Sequence, residues 1–460
     1  MSLYSALCSG LMFPLHERIK GHDSVARRQR LEESQWWDEE KFRVSQLARL
    51  RGFLSDIGEK VPYYRDLFKR LSFDPGSVET TAALAVLPLF TKSTIRENVD
   101  SLKATGHGPL TRYNTGGSSG EPLIFYMGKS RISHDVAAKW RATRWWGVDI
   151  GDRELVVWGS PIELGAQDRV RRIRDAVMRS HLLPAFEMSR ENLEKFVEVI
   201  RATRPAMLFG YPSSLSVIAR HARERNITMS DLGIRVAFVT SEKLYPEQRA
   251  IISDVFACPV ANGYGARDAG FIAHECPAGS LHISAEDIVV ETVRPDGALT
   301  GPGEAGEIVI THMATQDFPF VRYRTGDWGL LSHARCSCGR VLPVLADVQG
   351  RSTDFVVARD GTVMHGLALI YSVRELPGVE KFKIEQVSLD LTVVKLVTSQ
   401  AFENASELRI VRDFQARLGA TVQIQVERVI DIAAEPSGKF RYVSSRVKAF
   451  DHTSTEASSV

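Results

Sequence analysis

The sequence predicts an α/β protein built as a large body followed by a small α+β unit. Three observations carry this. Between about residues 189 and 260, short apolar runs alternate with helical patterns, the rhythm of βαβ units and a parallel sheet. From His282 to His312 the rhythm changes to β-rich runs separated by Pro295-Asp296-Gly297, Gly301-Pro302-Gly303 and Gly306, which is the turn chemistry of antiparallel β. After Gly350-Arg351, a final stretch of roughly 100 residues has its own strand and helix signals and the size of one small domain. The domains expected are therefore 1–350 and 351–460.

The elements follow in chain order. Leu3 to Leu15 is apolar, lacks a basic stretch before it, and runs straight into His16-Glu17-Arg18, so it reads as a helix docked on the body rather than a signal peptide. Residues 25–57 set Trp36, Trp37, Phe42, Leu47, Leu50, Phe53 and Leu54 at helical spacing among charges. Ser189 caps a helix through Leu193, Phe196, Val197 and Ile200 that stops at Arg204-Pro205. Ala206 to Phe209 is a strand, and Pro212 opens the next helix. Val236 to Val239, a helix from Pro246 to Val255, and a short strand from Val260 complete the alternation. Ile288–Val290 and Ile308–Ile310 are antiparallel strands. In the last unit, Phe382–Val387 and Leu391–Val397 are strands and Leu408–Leu418 a helix. Asp451–Val460 is Ser/Thr-rich and reads as a frayed tail.

Composition removes several function classes. The 460 residues carry 58 Lys+Arg against 56 Asp+Glu, so no bulk field points to nucleic acid or a lipid surface. No run reaches the eighteen or so apolar residues of a membrane span. Five cysteines are too few, and odd in number, for a disulfide framework, which favours a reducing, cytoplasmic setting. Neither nucleic acid nor membrane is expected as a partner; a homodimer is allowed.

Five motifs carry chemistry. Thr115-Gly116-Gly117-Ser118-Ser119-Gly120 is a loop rich in N–H and O–H donors that can wrap phosphate oxygens, although no Lys-Ser/Thr pair closes it as in a P-loop. Tyr264-Gly265-Ala266-Arg267-Asp268 puts a carboxylate beyond a strand end, where a phosphate-bound Mg²⁺ could be held. Arg322-Tyr323-Arg324-Thr325-Gly326-Asp327 offers a carboxylate suited to two ribose hydroxyls. Gly350-Arg351-Ser352-Thr353-Asp354 marks the domain boundary. Pro436-Ser437-Gly438-Lys439-Phe440-Arg441 presents a lysine that could reach a developing negative centre. Each of these alone also fits a plain surface turn.

Their order is the stronger signal. Over residues 50–445 the chain resembles the adenylate-forming superfamily of acyl-CoA synthetases and adenylation domains, and most of all its phenylacetate-CoA ligase and CapK-like (coenzyme F390 synthetase-like) branch. The resemblance implies a multi-sheet adenylate-forming body with a small mobile C-terminal domain. It also implies ATP, Mg²⁺ and CoA. Thr115 to Gly120 would bind phosphate, Thr240-Ser241-Glu242 would lie beside adenine, Tyr264 would stack near it, and Gly265 would belong to the same nucleotide site. Asp268 would hold Mg²⁺, Asp327 the ribose, and Arg351 the ribose or phosphate side. Lys439 would bridge the acid carboxylate and the α-phosphate. The chain departs from the family pattern in three places: Asp268 replaces Glu, Thr353 stands where a charged hinge residue is usual, and Glu121 where many relatives have Lys.

Cys276 with His282, and Cys336 with Cys338, form two local pairs of soft ligands that fit a tetrahedral structural Zn²⁺. His274 is a rival to His282, and unrelated free thiols are the plainer reading. The resemblance to the CapK-like branch favours zinc, and Cys258 is expected in the core. For the acid pocket, Trp145, Trp146, Trp158, Phe209, Gly210, Tyr211 and Pro212 are candidates. Core packing explains most large aromatics, so only Gly210 and Tyr211 are carried forward. The implied activity is an AMP-forming acid-thiol ligase acting on an aryl or small organic acid, with CoA as the acceptor. The alternative passes the acyl group to an amine, hydroxyl or carrier protein.

Overall fold

The computed structural model describes residues 2–114, 123–158, 169–184, 190–332, 334–351, 355–360, 363–365, 367–374, 376–433 and 441–447. Thr115 to Gly120, Glu121, Ser189, Thr353, Lys439 and the tail after 450 lie outside them. The chain opens with α1 (Leu3–Leu7), a π-turn (Cys8–Met12) and α2 (Phe13–Lys20), closed by Gly21 in the left-handed conformation at φ 68°. α3 (Ser24–Ser34) and α4 (Glu39–Lys60) follow. The amphipathic stretch expected over 25–57 is thus two helices. Asp38 restarts the chain by accepting from the Lys41 N–H, with Glu39 and Glu40 in the first turn. α5 (Pro62–Leu71) and α6 (Lys92–Glu97) complete the N-terminal layer.

A ribbon of β1 (Thr111–Asn114) and β2 (Ile124–Met127) precedes α7 (Lys129–Arg144). Then β3 (Glu154–Trp158), α8 (Arg169–Val177), β4 (Ser180–Pro184), α9 (Arg190–Thr203), β5 (Met207–Gly210), α10 (Pro212–Glu224), β6 (Val236–Thr240), α11 (Pro246–Phe256) and β7 (Val260–Ala266) alternate. Pro212 and Pro246 sit at the first helical turn, where a missing N–H is harmless. β5 and β6 are buried along their whole length, as parallel strands covered on both faces must be.

β8 (Gly270–Glu275), β9 (Leu281–Ile283), β10 (Ile288–Val293), β11 (Gly306–His312), β12 (Phe320–Ser332) and β13 (Val344–Arg351) continue the same sheet antiparallel. The parallel and antiparallel parts, distinct in the sequence rhythm, are one eleven-stranded sheet of order β10-β11-β12-β13-β9-β8-β7-β6-β5-β3-β4. The switch falls at β7, whose neighbours are parallel β6 and antiparallel β8.

After β13 come β14 (Phe355–Val357), β15 (Val363–His365), α12 (Leu367–Arg374), β16 (Val379–Gln386), β17 (Leu391–Thr398), α13 (Asn404–Leu418), β18 (Gln423–Arg428) and β19 (Val443–Ser445). Four of these strands form a separate sheet of order β18-β17-β16-β19. It has its own core around Phe382, Ile384, Val394, Ile410 and Phe414.

One buried carboxylate ties the helical layer to the main sheet. Asp287, just before β10, is 1% exposed; it accepts from Arg49 Nε of α4 at 2.9 Å and faces Arg27 of α3 and His134 of α7 at about 4 Å. Burial alone would push its carboxyl up, but His134, Arg49 and Arg27 outweigh it and hold it at about 2. The unfolded chain binds that proton near pH 3.9, so this contribution is complete above about pH 5 and fades as pH falls toward 2. Asp287→Asn should cost about 2–3 kcal/mol at pH 7, by removing the negative charge that His134, Arg49 and Arg27 face. Its stability should also depend less on acid than the parent's between pH 5 and 2. Urea unfolding at a series of pH values measures both.

Candidate functional site

A cavity of about 550 Å³ opens where the main sheet meets the C-terminal one. One wall is the end of β6 and the turn after it, Ser241 to Tyr245. A second is Asn262 to Ala266 of β7, and a third is the Gly279-Ser280-Leu281 turn before β9. Asp327 of β12 and Gly350 of β13 form the floor, and Arg441, Tyr442 and Val443 close it from the C-terminal sheet.

Several sequence-predicted residues meet here. Tyr264 Oη donates to Asp327 Oδ2 at 3.0 Å, joining the second and third motifs. Asp327 is the register partner of Arg351 across β12 and β13, which brings the fourth motif's backbone to the same place; the Arg351 side chain lies outside the description. Ser241 holds φ at 71°, a left-handed conformation uncommon outside glycine, and Glu242 Oε2 accepts the Ser213 N–H at 3.2 Å. Gly265 can carry no side chain, because a Cβ would lie 2.3 Å from the Gly270 carbonyl oxygen.

Others do not meet here. Asp268 does not line the cavity: Tyr323 Oη donates to its Oδ2 at 2.5 Å and the Ala269 N–H to its Oδ1 at 3.1 Å, in a buried position. Gly210 and Tyr211 are also apart from the cavity. A Cβ on Gly210 would stand 2.4 Å from the Val157 carbonyl oxygen, so this glycine lets β3 and β5 approach. Tyr211 is buried, stacked on Trp158 at 4.4 Å.

The cysteine pairs do converge. Cys276, His282, Cys336 and Cys338 place one ligand atom each within 4.8 Å of all the others. Cys276 Sγ is 3.7 Å from Cys336 Sγ, close to the roughly 3.8 Å separating two thiolates on a tetrahedral zinc with 2.3 Å bonds. His282 Nδ1 donates to the Leu342 carbonyl at 3.0 Å, which leaves Nε2 as the lone-pair atom, 3.2 Å from Cys338 Sγ. Burial raises the Cys276 thiol to about 11, a group that would need a cation to ionise at neutral pH. His274 is not in the set: it lies buried against Phe271 and Phe238, lowered to about 3 by burial first and by Arg141 next. Cys258 is a core thiol, pushed up to about 12 by burial.

Sequence reasoning missed Arg131, in α7. It is 2% exposed; Nε donates to Asp135 at 3.0 Å, and its two terminal nitrogens donate to the carbonyls of Asp268 and Arg267 at 3.1 and 3.2 Å. Lys-Ser-Arg at a helix start reads as a solvated face, so nothing local betrays it. It also missed Arg249, which donates to Glu275 at 2.8 Å beside the cavity, and Tyr245 and Tyr442, which meet edge to face at 5.5 Å.

This is the fold of the acyl-CoA ligases. The structure superposes on 2-hydroxyisobutyryl-CoA ligase in its postadenylation state with a TM-score of 0.73 at 19% identity, covering 91% of this chain and 92% of that one. The same enzyme in its thioesterification state gives 0.60 at 18% identity over the same shares. In sequence the chain is 26% identical over 414 residues to protein CapK of Staphylococcus aureus, covering 88% of this chain and 89% of CapK. It is 24% identical over 332 residues to phenylacetate-coenzyme A ligase of Thermus thermophilus, covering 70% and 72%. The family model for the CapK C-terminal domain matches residues 356–446. The chain is thus a homologue of CapK and the phenylacetate-CoA ligases.

Because Arg131 holds two buried carbonyls of the turn between β7 and β8, Arg131→Gln should loosen that turn. Amide hydrogen exchange over residues 265–270 is expected to quicken at least about tenfold, the equivalent of 1.4 kcal/mol for lost charge-assisted hydrogen bonds. Unchanged exchange there would reject the role.

Proposed function

We propose that the chain is an ATP-dependent, AMP-forming acid-thiol ligase. A carboxylate oxygen of an aryl or small organic acid attacks the α-phosphorus of ATP, and pyrophosphate leaves. The CoA sulfur then attacks the acyl carbon and AMP leaves. The observation that supports this most is the single cavity that gathers Ser241, Glu242, Tyr264, Gly265, Asp327 and Gly350 with Arg441 of the C-terminal sheet. CapK and the phenylacetate-CoA ligases as homologues support the same reading.

In this reading Tyr264 and the Ser241-Glu242 turn take the adenine. Asp327, oriented by the Tyr264 hydroxyl, accepts from the ribose hydroxyls with its remaining lone pairs. Thr115 to Gly120 wrap the phosphates, and Arg351 adds charge on that side. Bringing two anions together requires positive charge held in place beforehand. Lys439 supplies it at the carboxylate and α-phosphate, with Arg441 two residues on at the cavity wall. Magnesium would arrive on the nucleotide's phosphates and neutralise them; with Asp268 committed to Tyr323, no step is assigned to that carboxylate. The boundary at Gly350-Arg351 separates the body from the unit that delivers Lys439.

We also assign Cys276, His282, Cys336 and Cys338 to a structural zinc. Four protein ligands leave no open position for substrate. The Cys276–His282 pair flanks Gly279-Ser280-Leu281, so the ion would stiffen one wall of the cavity.

ATP–pyrophosphate exchange over a panel of aryl and short-chain acids tests the ligase reading. At least one acid should support exchange, and Lys439→Ala should lower it by about 10²–10³-fold. Exchange with none of them, or exchange unaffected by Lys439→Ala, would reject the mechanism. Offering CoA, amines and carrier proteins to the active acid then fixes the acceptor. Metal analysis should return about one zinc per chain, and Cys338→Ser should lose it with a fall of several degrees in the thermal midpoint. A zinc-free parent whose midpoint the substitution leaves unmoved would remove the metal.

A further inference from the structure

The N-terminal helices are docked by one face only. Ser5 Oγ donates to Asp152 at 2.6 Å, Tyr4 Oη donates to the Val177 carbonyl at 2.7 Å, and Phe13 sits edge-on to Trp140 at 5.1 Å. The other face carries Leu3, Leu7, Leu11, Leu15 and Ile19, with exposures from 50% to 93%. Residues four apart on an α-helix drift around the axis by about 40° per step, so an unbroken helix would scatter this series. The π-turn at Cys8–Met12 is wound more loosely and takes back part of the drift, which keeps the five side chains in one solvent-facing row. A contiguous apolar row of this size is a binding surface rather than ordinary surface scatter.

Charge identifies what it faces. Arg18 and Lys20 are exposed at the end of the row. Beside it lies α8, whose following residues contact the row's own helix: Arg179 covers the Tyr4 ring at 3.6 Å and Met178 Sδ is 3.4 Å from Cys8 Sγ. α8 itself exposes Ile173 at 65%. The described side chains of residues 3–20 and 173–179 include Arg18, Lys20, Arg174 and Arg179 against Glu17 and Asp175, and Glu17 is buried, so the surface around the row is net positive. A second copy docked symmetrically on the row would set positive charge against positive. An anionic bilayer surface offers acyl chains to the leucines and headgroups to the basic rim, the pattern of helices that lie in the membrane plane. No helix among the described residues is long and apolar enough to cross a membrane, and this mode of contact needs none.

We infer that the row Leu3, Leu7, Leu11, Leu15 and Ile19, with its basic rim, docks the enzyme in the plane of an anionic lipid surface. This departs from the sequence-level expectation of no membrane partner, which rested on the lack of a span and the near-neutral total charge. It is independent of the ligase reading, since none of these side chains reaches the cavity.

Sedimentation of the full chain with vesicles tests it. Vesicles of phosphatidylcholine with about one third phosphatidylglycerol should carry down at least tenfold more protein than phosphatidylcholine alone, less so in about 0.5 M salt. Leu7→Gln/Leu11→Gln/Leu15→Gln should lose that binding with an unchanged thermal midpoint, and Arg18→Glu/Lys20→Glu should lose the preference for the anionic lipid. No sedimentation with either vesicle, or binding that survives the triple substitution, would overturn the inference. So would a dimer in solution that the triple substitution dissolves while vesicles leave the parent in the supernatant.

Discussion

The site is organised around the buried guanidinium of Arg131. A charge 2% exposed is tolerable only when every donor has a partner. Asp135 supplies the counter-charge, and the carbonyls of Arg267 and Asp268 each take a donor from one terminal nitrogen. That requirement fixes the turn between β7 and β8. The turn leaves no room for a side chain at Gly270, where a Cβ would stand 2.9 Å from His312 Nε2 and 3.0 Å from Arg131 itself. From the fixed turn, Asp268 accepts from Tyr323 and Tyr264 donates to Asp327, so β7 is bound twice to β12 across the intervening strands. The placement of Asp327 beside the Ser241 turn is therefore a consequence of where one arginine is buried.

The C-terminal sheet is held to the body by a second arginine. Arg374 of α12 pairs with Glu247 of α11 at 2.6 Å and lies 4.5 Å from the Tyr245 ring and 5.0 Å from the Tyr442 ring. Tyr245 belongs to the body and Tyr442 to the terminal sheet, so one cation bridges the two. This contact sets Arg441 against the cavity. One ion pair with two rings is a modest restraint between the two units.

Much of this was legible in the residues. Helix starts at Pro212 and Pro246 and the fully apolar β5 and β6 follow from local chemistry, and their bounds moved by a residue or two. Pairing Cys276 with His282 and Cys336 with Cys338 needed only short spacings. What could not be read was tertiary. The fusion of parallel and antiparallel strands into one sheet depends on β9 pairing with β13, some 60 residues away in sequence. The choice of His282 over His274 is tertiary as well: His282 lies with the three thiols, whereas His274 packs against Phe271 and Phe238. The surroundings of Gly210, Tyr211 and Asp268 are tertiary too: Gly210 lies against the Val157 carbonyl, Tyr211 stacks on Trp158, and Asp268 accepts from Tyr323 and from the Ala269 N–H.

The same logic links the cysteine cluster to the cavity. The Gly279-Ser280-Leu281 segment borders the cavity and is closed by Gly279 N–H to the Cys276 carbonyl at 2.8 Å and Cys276 N–H to the Ser280 carbonyl at 3.0 Å, with Leu281 paired to Glu275 and Leu345. Its two ends, Cys276 and His282, converge on Cys336 and Cys338, which come from the loop between β12 and β13. β12 carries Asp327 and β13 ends at Arg351. A metal at that point would join the cavity wall to the hairpin that bears the floor, so the rigidity of the wall and the position of Asp327 would be one property rather than two.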